Sequence, residues 1–141
     1  MNLLAPLYRI ADGLRHRKQR DTGKRGEDLA HRYLRSHGFV VVARNWRPPQ
    51  GGGEIDIVAW EGDWLVFVEV KARTTAEWSA PERDIDLDKI QTLRRAARDY
   101  MRRAGVDESR IRFDAISIAG RGIQHLRDAF RPDDGDKPTP E

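Results

Sequence analysis

The chain has 141 residues, of which 35% are charged and 38% are hydrophobic, and its formal net charge at neutral pH is +3. This length fits one ordinary domain with a single core. The sequence contains no cysteine, which excludes disulfides and thiolate metal sites and agrees with a reducing cytoplasm. Its apolar runs are far shorter than the roughly 20 residues that a membrane-spanning helix needs, so we expect a cytoplasmic protein without membrane association. The mild positive charge permits binding to nucleic acid without requiring it.

The two ends of the chain differ in composition from its middle. Residues 1–21 carry a run of basic side chains and are predicted to form an N-terminal arm, either solvated or in contact with phosphate or a partner. Residues 131–141 are rich in proline and acidic residues and are predicted to be a disordered tail. The apolar patterns of a compact domain are confined to residues 22–130.

Within this domain the apolar patterns predict helices at 24–36 and 87–104, each followed by a glycine suited to a helix C-terminus. Strands are predicted at 39–43, 54–60, 64–71 and 111–118, with a further short edge strand at 122–130, and loops are predicted at 45–53 and 72–85. The first strand is rich in β-branched residues, so we expect it to be buried. The first three strands suit an antiparallel meander, and the second helix suits a crossover to a later strand. The predicted fold class is α/β, a mixed sheet flanked by helices in the order α-β-β-β-α-β.

Charged side chains interrupt the second and third predicted strands. Glu69 and Lys71 project from one face at the end of an apolar strand, by the period of two. Glu54 and Asp56 share one face of the second strand, opposite two isoleucines. Hairpin pairing can bring Asp56 close to Glu69, and two such carboxylates repel unless a proton or a cation lies between them.

A magnesium ion fits such a pair of carboxylates, because it takes oxygen ligands from one or two acids, from waters and from phosphate. Lys71 would then balance the acids and hold an attacking water or a phosphate oxygen, and the matching chemistry is metal-assisted hydrolysis of a phosphodiester. The alternative is a structural ion pair of Glu69 with Lys71, with Asp56 in a turn. Glu27 lies on the apolar stripe of the first helix, where it would either join the site or only interact favourably with the helix dipole.

Several motifs are spread over residues 22–130. They read GKRGEDLA at residues 23–30, NWR at 45–47, GEID at 53–56, VFVEVKAR at 66–73 and RFD at 112–114. Together they resemble the YraN-type proteins, an uncharacterised bacterial family that is similar to Holliday junction resolvases of the PD-(D/E)XK nuclease superfamily. The resemblance implies a restriction-endonuclease-like core in residues 22–130 and hydrolysis of phosphodiester bonds in DNA, with branched or structured DNA as a substrate class.

The resemblance also implies roles for individual residues. Asp56 and Glu69 would bind Mg²⁺ or Mn²⁺, with the Val70 carbonyl as a third ligand. Lys71 would be the catalytic lysine, and Glu27 matches the acidic residue that resolvases carry on their first helix. We predict further contacts with nucleic acid from basic residues in and beside the motifs, namely Arg25, Arg44, Arg47, Arg73 and Lys89.

Two expectations concern partners. A resolvase-like enzyme cuts two strands symmetrically, so the resemblance suggests a homodimer. The alternative to a nuclease is a module that binds nucleic acid with the same fold and with little or no catalysis.

Overall fold

The computed structural model describes residues 23–73 and 87–130. The predicted arm at 1–21, most of the predicted loop at 72–85 and the predicted tail at 131–141 lie outside the described residues. The elements are α1 (residues 23–36), β1 (Val40–Trp46), β2 (Ile55–Glu61), β3 (Trp64–Ala72), α2 (Leu87–Ala104), a turn of 3-10 helix (Glu108–Arg110), β4 (Ile111–Ala119) and β5 (Gly122–Phe130). None of the helices in the described part of the chain is long and apolar enough to cross a membrane.

The five strands form one sheet in the order β1-β2-β3-β4-β5. Neighbouring strands are antiparallel except β3 and β4, which are parallel. The connection between β3 and β4 contains α2, in agreement with the long crossover that parallel neighbours need. The predicted α/β class, the mixed sheet and the meander of the first three strands are therefore confirmed, and the arrangement is compatible with a nuclease-like core.

Each face of the sheet carries its own hydrophobic cluster. Under α1 the cluster contains Ala30, Leu34, Ile57, Ala59, Val66, Val68, Ile116 and Ile118. Under α2 it contains Val58, Leu65, Phe67, Ile90, Leu93, Ala97, Met101 and Phe113. The central strands β2 and β3 are thus covered on both faces, which explains why their sequences are almost continuously apolar.

Of the two edge strands, β1 departs from the prediction and β5 agrees with it. The expectation that the first strand is buried is wrong, because β1 lies at the edge of the sheet and exposes 62% of Val40 and 45% of Val42. Its β-branched residues suit a pleated strand without being covered. β1 also continues through Trp46, into the segment predicted as loop. At the other edge, β5 has the predicted bounds, Gly122–Phe130, and a length of 9 residues.

Candidate metal and nucleic-acid site

Strands β2 and β3 part from each other at one end of the sheet. Their regular pairing ends at Ile57 with Val68. Beyond that pair, β2 stays bonded to β1 as far as Ile55, and β3 stays bonded to β4 as far as Ala72. The strands therefore open a gap, and the residues that follow the last pair on each side are the acids Asp56 and Glu69.

The side chains at the start of β2 do not follow a simple alternation. The prediction that the isoleucines on either side of Asp56 share one face is wrong, because Ile55 packs in the cluster under α2 and Ile57 in the cluster under α1. Between them, the Asp56 carboxylate turns toward β3 and accepts a hydrogen bond of 2.8 Å from the backbone N–H of Val70. This bond crosses the gap where the regular ladder has ended.

Three carboxylates from different parts of the chain meet beside this gap. One oxygen from each of Glu27, Glu54 and Asp56 lies within 4.8 Å of the others, and all three residues are half-buried. Glu27 comes from α1, Glu54 immediately precedes β2, and Asp56 lies in β2. Oxygen atoms at this spacing are suited to a hard divalent cation, so these acids could hold a metal ion.

Asn45 connects two of these acids. Its Nδ2 donates to Glu27 Oε2 at 2.8 Å and to Glu54 Oε1 at 2.9 Å. Its backbone has φ of 50°, a left-handed conformation that asparagine adopts more readily than most residues. Asn45 was predicted to lie in a loop and had no predicted role. Glu54 was predicted to share a face with Asp56 but was not assigned to the site. The available signal was their position in the NWR and GEID motifs.

The charge state of Asp56 responds to its surroundings. Burial raises the pKa of Asp56 to about 7, the negative charge of Glu69 adds to the rise, and the Val70 hydrogen bond opposes it. The charges of Glu27 and Glu54 raise it further. At neutral pH, near this pKa, the protonated and charged forms of Asp56 are therefore both populated, and a bound cation would displace the proton.

Glu69 is buried and pairs with a lysine from α2. The ammonium of Lys89 forms an ion pair with Glu69 Oε1. Burial lowers the pKa of Lys89, but its hydrogen bond with Glu69 and the charge of that residue outweigh burial, so the pKa lies above its usual value. Asp56 lies in strand β2. The alternative of a structural ion pair between Glu69 and Lys71 had placed it in a turn. Lys71 lies on β3 two residues beyond Glu69 and is half-buried.

The basic residues predicted to contact nucleic acid occupy different surroundings. Arg44 forms ion pairs with Asp28 at 2.7 Å and with Glu27 at 3.7 Å. Arg47 pairs with Glu54 at 2.6 Å. Both guanidinium groups are thus bound to acids of the cluster or beside it. Of the other predicted contacts, Lys89 is bound to Glu69. The Nε of Arg73 donates to Ser117 Oγ at 3.1 Å. Arg25 is exposed on α1.

An open cavity of about 640 Å³ borders the acid cluster and is lined by Gly23, Lys24, Glu27, Arg44 and Asn45. It combines two basic side chains with one acid of the cluster. Its lining residues come from α1 and from β1, so the cavity lies between these two elements. A ligand that carries negative charge, such as a phosphate, would approach the acid cluster beside cationic groups there.

The motif Arg112-Phe113-Asp114 has a structural explanation. Asp114 is fully buried and accepts two hydrogen bonds from Arg112, at 2.7 Å and 2.9 Å. His125 Nε2 lies 2.7 Å from the same carboxylate, and the backbone N–H of Asp128 donates to it. Burial raises the pKa of Asp114, but these bonds outweigh burial and hold the pKa below its usual value. The carboxylate is satisfied by protein groups and holds β4 to β5.

Most of this domain is similar in sequence to known proteins. Residues 26–118 match the model of the family described as Uncharacterised protein family UPF0102. A UPF0102 protein of Solibacter usitatus is 52% identical over 132 residues, which cover 91% of this chain and 100% of the relative. A UPF0102 protein of Rhodococcus jostii is 45% identical over 113 residues, which cover 77% of this chain and 94% of the relative. Neither name states an activity.

Proposed function

This chain belongs to the uncharacterised family UPF0102, of the YraN type, and we propose that it is a metal-dependent nuclease that hydrolyses phosphodiester bonds in DNA. The observation that carries the proposal is the group of acids Glu27, Glu54 and Asp56 beside Glu69, at the gap between two central strands. Acids held this close in a partly buried site repel one another, so a cation is their natural counterpart. The resemblance to Holliday junction resolvases supports branched or structured DNA as the substrate.

The donor atoms at the gap suit Mg²⁺ or Mn²⁺, because they are oxygens of carboxylates and of the backbone. We assign Asp56, Glu69 and the Val70 carbonyl as the residues that hold the ion. The N–H of Val70 faces Asp56, and in a strand the N–H and C=O of one residue point to the same edge. The bound ion would supply charge against the phosphate oxygens and would acidify a water. Glu27 assists from α1, through the water shell of the site.

Lys71 is proposed to position the attacking water and to face the charge that develops on the phosphate. It follows Glu69 at the strand period of two, so both side chains project from the same face of β3. Lys89 is bonded to Glu69 from α2, where it would hold this acid in place and contact a phosphate. Arg25, Arg44, Arg47 and Arg73 are proposed to contact the DNA backbone.

The direct test is cleavage of end-labelled linear, flapped and four-way DNA in Mg²⁺ or Mn²⁺. Wild type should produce shorter fragments, and Asp56→Asn and Lys71→Ala should each lower the rate by at least about a hundredfold. Asp63→Asn is the matched carboxylate control, because Asp63 is 81% exposed in the β2–β3 turn and pairs with Arg110. Absence of cleavage by wild type, or equal cleavage by Asp56→Asn, would contradict the proposal.

The second candidate is a binding module without useful catalysis. The acids of the cluster already accept strong bonds from Asn45 and Arg47, which favours a site that is complete without a metal. A gel shift that weakens with salt and gives no metal-dependent products would support this candidate.

For the nuclease we further propose a homodimer, which light scattering can test. We also propose a cytoplasmic location, where bacterial DNA lies.

A further inference from the structure

A second polar groove lies along α2, on the side of the helix that faces away from the sheet. It has a volume of about 480 Å³ and is lined by Arg95, Arg98 and Arg102 on one side and by Gly51 and Gly52 of the β1–β2 loop on the other. The arginines follow one another at intervals of three and four residues, so they lie on one face of the helix. None of them belongs to the site proposed above.

The groove carries a surplus of positive charge. Its two acids are Asp99 and Glu108, against three arginines. Asp99 already accepts from Arg102 at 3.3 Å and from Arg103 at 3.2 Å. Arg95 and Arg98 are exposed. Among residues 23–73 and 87–130, neither side chain has a hydrogen-bond or ion-pair partner. Their guanidinium groups are therefore available to an anion that enters the groove.

The opposite side of the groove presents backbone rather than side chains. Gly51 and Gly52 have φ of 83° and 97°, and a Cβ at either position would have no atom within 4 Å. Glycine is favoured there by the backbone conformation and not by crowding. The result is an open stretch of peptide that a second polymer backbone can approach closely.

The groove is joined to the acid cluster by the next residue of the loop. A Cβ on Gly53 would lie 2.5 Å from Thr92 Cγ2, so the loop rests directly on α2 at that point. Gly53 is followed at once by Glu54 of the acid cluster. From Arg95 to Arg102 the helix rises about 10 Å, which corresponds to about three nucleotides at 3.4 Å each along one strand.

We propose that this groove binds the phosphodiester backbone of the nucleic acid beyond the acid cluster, with Arg95 and Arg98 as the principal phosphate contacts. The inference rests on the proposed function, because it assigns the path of the same substrate. The strand would pass over the glycines of the β1–β2 loop and run along α2. The groove contacts the backbone only, so it favours long or branched nucleic acid over short fragments and does not select a base sequence.

Fluorescence anisotropy with labelled four-way DNA in EDTA tests the groove without cleavage. The double variant Arg95→Ala/Arg98→Ala should bind about tenfold more weakly than wild type, and the slope of log affinity against log salt should fall by about two. The matched control is Arg32→Ala/Arg35→Ala, which removes the same charge from exposed positions on α1, across the sheet. The control should bind within about twofold of wild type.

The outcomes separate this inference from the proposed function. If the groove variant binds like wild type while wild type cleaves DNA, the groove assignment is overturned and the nuclease stands. An equal loss in the control and groove variants would also overturn it, because net charge alone would explain the binding. If wild type binds no DNA, the inference fails, and a lack of cleavage when the same protein and DNA are supplied with Mg²⁺ or Mn²⁺ would remove the nuclease as well. RNA of matched sequence should show the same dependence on the groove, because the contacts are to phosphates.

Discussion

The backbone N–H of Val70 donates a hydrogen bond of 2.8 Å to Oδ2 of Asp56, across the gap where β2 and β3 part. This bond fixes the orientation of the carboxylate and engages one of its oxygens. The other oxygen remains available to a ligand. The bond favours the charged form of Asp56, but burial and the neighbouring Glu69 outweigh it, so the pKa is raised to about 7. Two consequences follow for the behaviour of the protein with pH.

The first consequence concerns metal affinity. A divalent cation that binds Asp56 must displace its proton wherever the pH lies below about 7. We therefore expect the affinity for Mg²⁺ or Mn²⁺ to rise about tenfold per pH unit below that value and to level off above it. Calorimetric titration at pH values on both sides of the pKa measures this. An affinity that does not vary with pH, or that survives in Asp56→Asn, would contradict the assignment of Asp56 as a ligand.

The second consequence concerns stability without metal. The pKa of Asp56 rises from 3.8 to about 7 on folding, so between these values the folded state holds a proton that the unfolded chain has released. Its contribution to stability is present below pH 3.8 and is lost as the pH rises to about 7. In EDTA, Asp56→Asn should therefore be more stable than wild type above this range, by about 2 kcal/mol after allowance for solvent screening. Urea unfolding at both ends of the range checks this, and a less stable variant at high pH would refute it.

Asp114 should behave in the opposite way. Its pKa is lowered by bonds to His125, Arg112 and the Asp128 amide despite its burial, so its contribution to stability is present at neutral pH and is lost as the pH falls through its folded-state pKa. We expect Asp114→Asn to lower the free energy of unfolding by about 3 kcal/mol at neutral pH, because Arg112 loses its buried partner. The difference from wild type should shrink in acid.

The control for this prediction is Asp63→Asn, which changes a carboxylate that is 81% exposed. Its urea midpoint should match that of wild type, because exposed ion pairs contribute little. Metal affinity provides a further check, since Asp114 is not among the proposed ligands. If Asp114→Asn matched the control in stability, the Arg112–Asp114 pair would not be the structural element that its burial indicates.

The fold was predictable where one local pattern determines it. β2 and β3 are apolar along almost their whole length because both faces are covered, and α2 has a clear apolar stripe. The exposure of β1 was not predictable in this way, because Val40 and Val42 suit a buried strand and an edge strand equally well. Only the strand order places them at an edge.

The site was predictable only in part. The strand period placed Glu54 beside Asp56 and, through the hairpin, Asp56 near Glu69. The bond of Asn45 to two acids depends on its left-handed backbone and on the packing of α1 against β1. The ion pair of Lys89 with Glu69 depends on the placement of α2 over β3. Contacts between elements that are remote in sequence have no local signature. The contacts of Asn45 and of Lys89 with these acids could therefore be identified only in the structure.

Gly53 is the position at which the acid cluster depends most directly on close packing. Its φ of 124° is strained for any residue with a side chain, and a Cβ there would lie 2.5 Å from Thr92 Cγ2. Thr92 cannot rotate away freely, because its hydroxyl donates to the Asp88 carbonyl at 2.8 Å. We expect Gly53→Ala to lower the free energy of unfolding by about 3 kcal/mol, through backbone strain and overpacking together. It should also weaken metal binding, because the proposed ligand Asp56 lies three residues further along the same segment.

Two variants isolate the contribution of the contact. Gly52→Ala has a similarly unfavourable φ of 97° with no atom within 4 Å of the new Cβ, so it should show the backbone strain alone, about 1 kcal/mol. Thr92→Ser removes Cγ2 and keeps the hydroxyl, so the double variant Gly53→Ala/Thr92→Ser should recover part of the lost stability and metal affinity. Urea unfolding and metal titration of wild type, Gly53→Ala, Thr92→Ser and the double variant complete the cycle, with Gly52→Ala as the control for strain. Equal losses in Gly52→Ala and Gly53→Ala, with no recovery in the double variant, would show that the loop does not depend on its contact with α2.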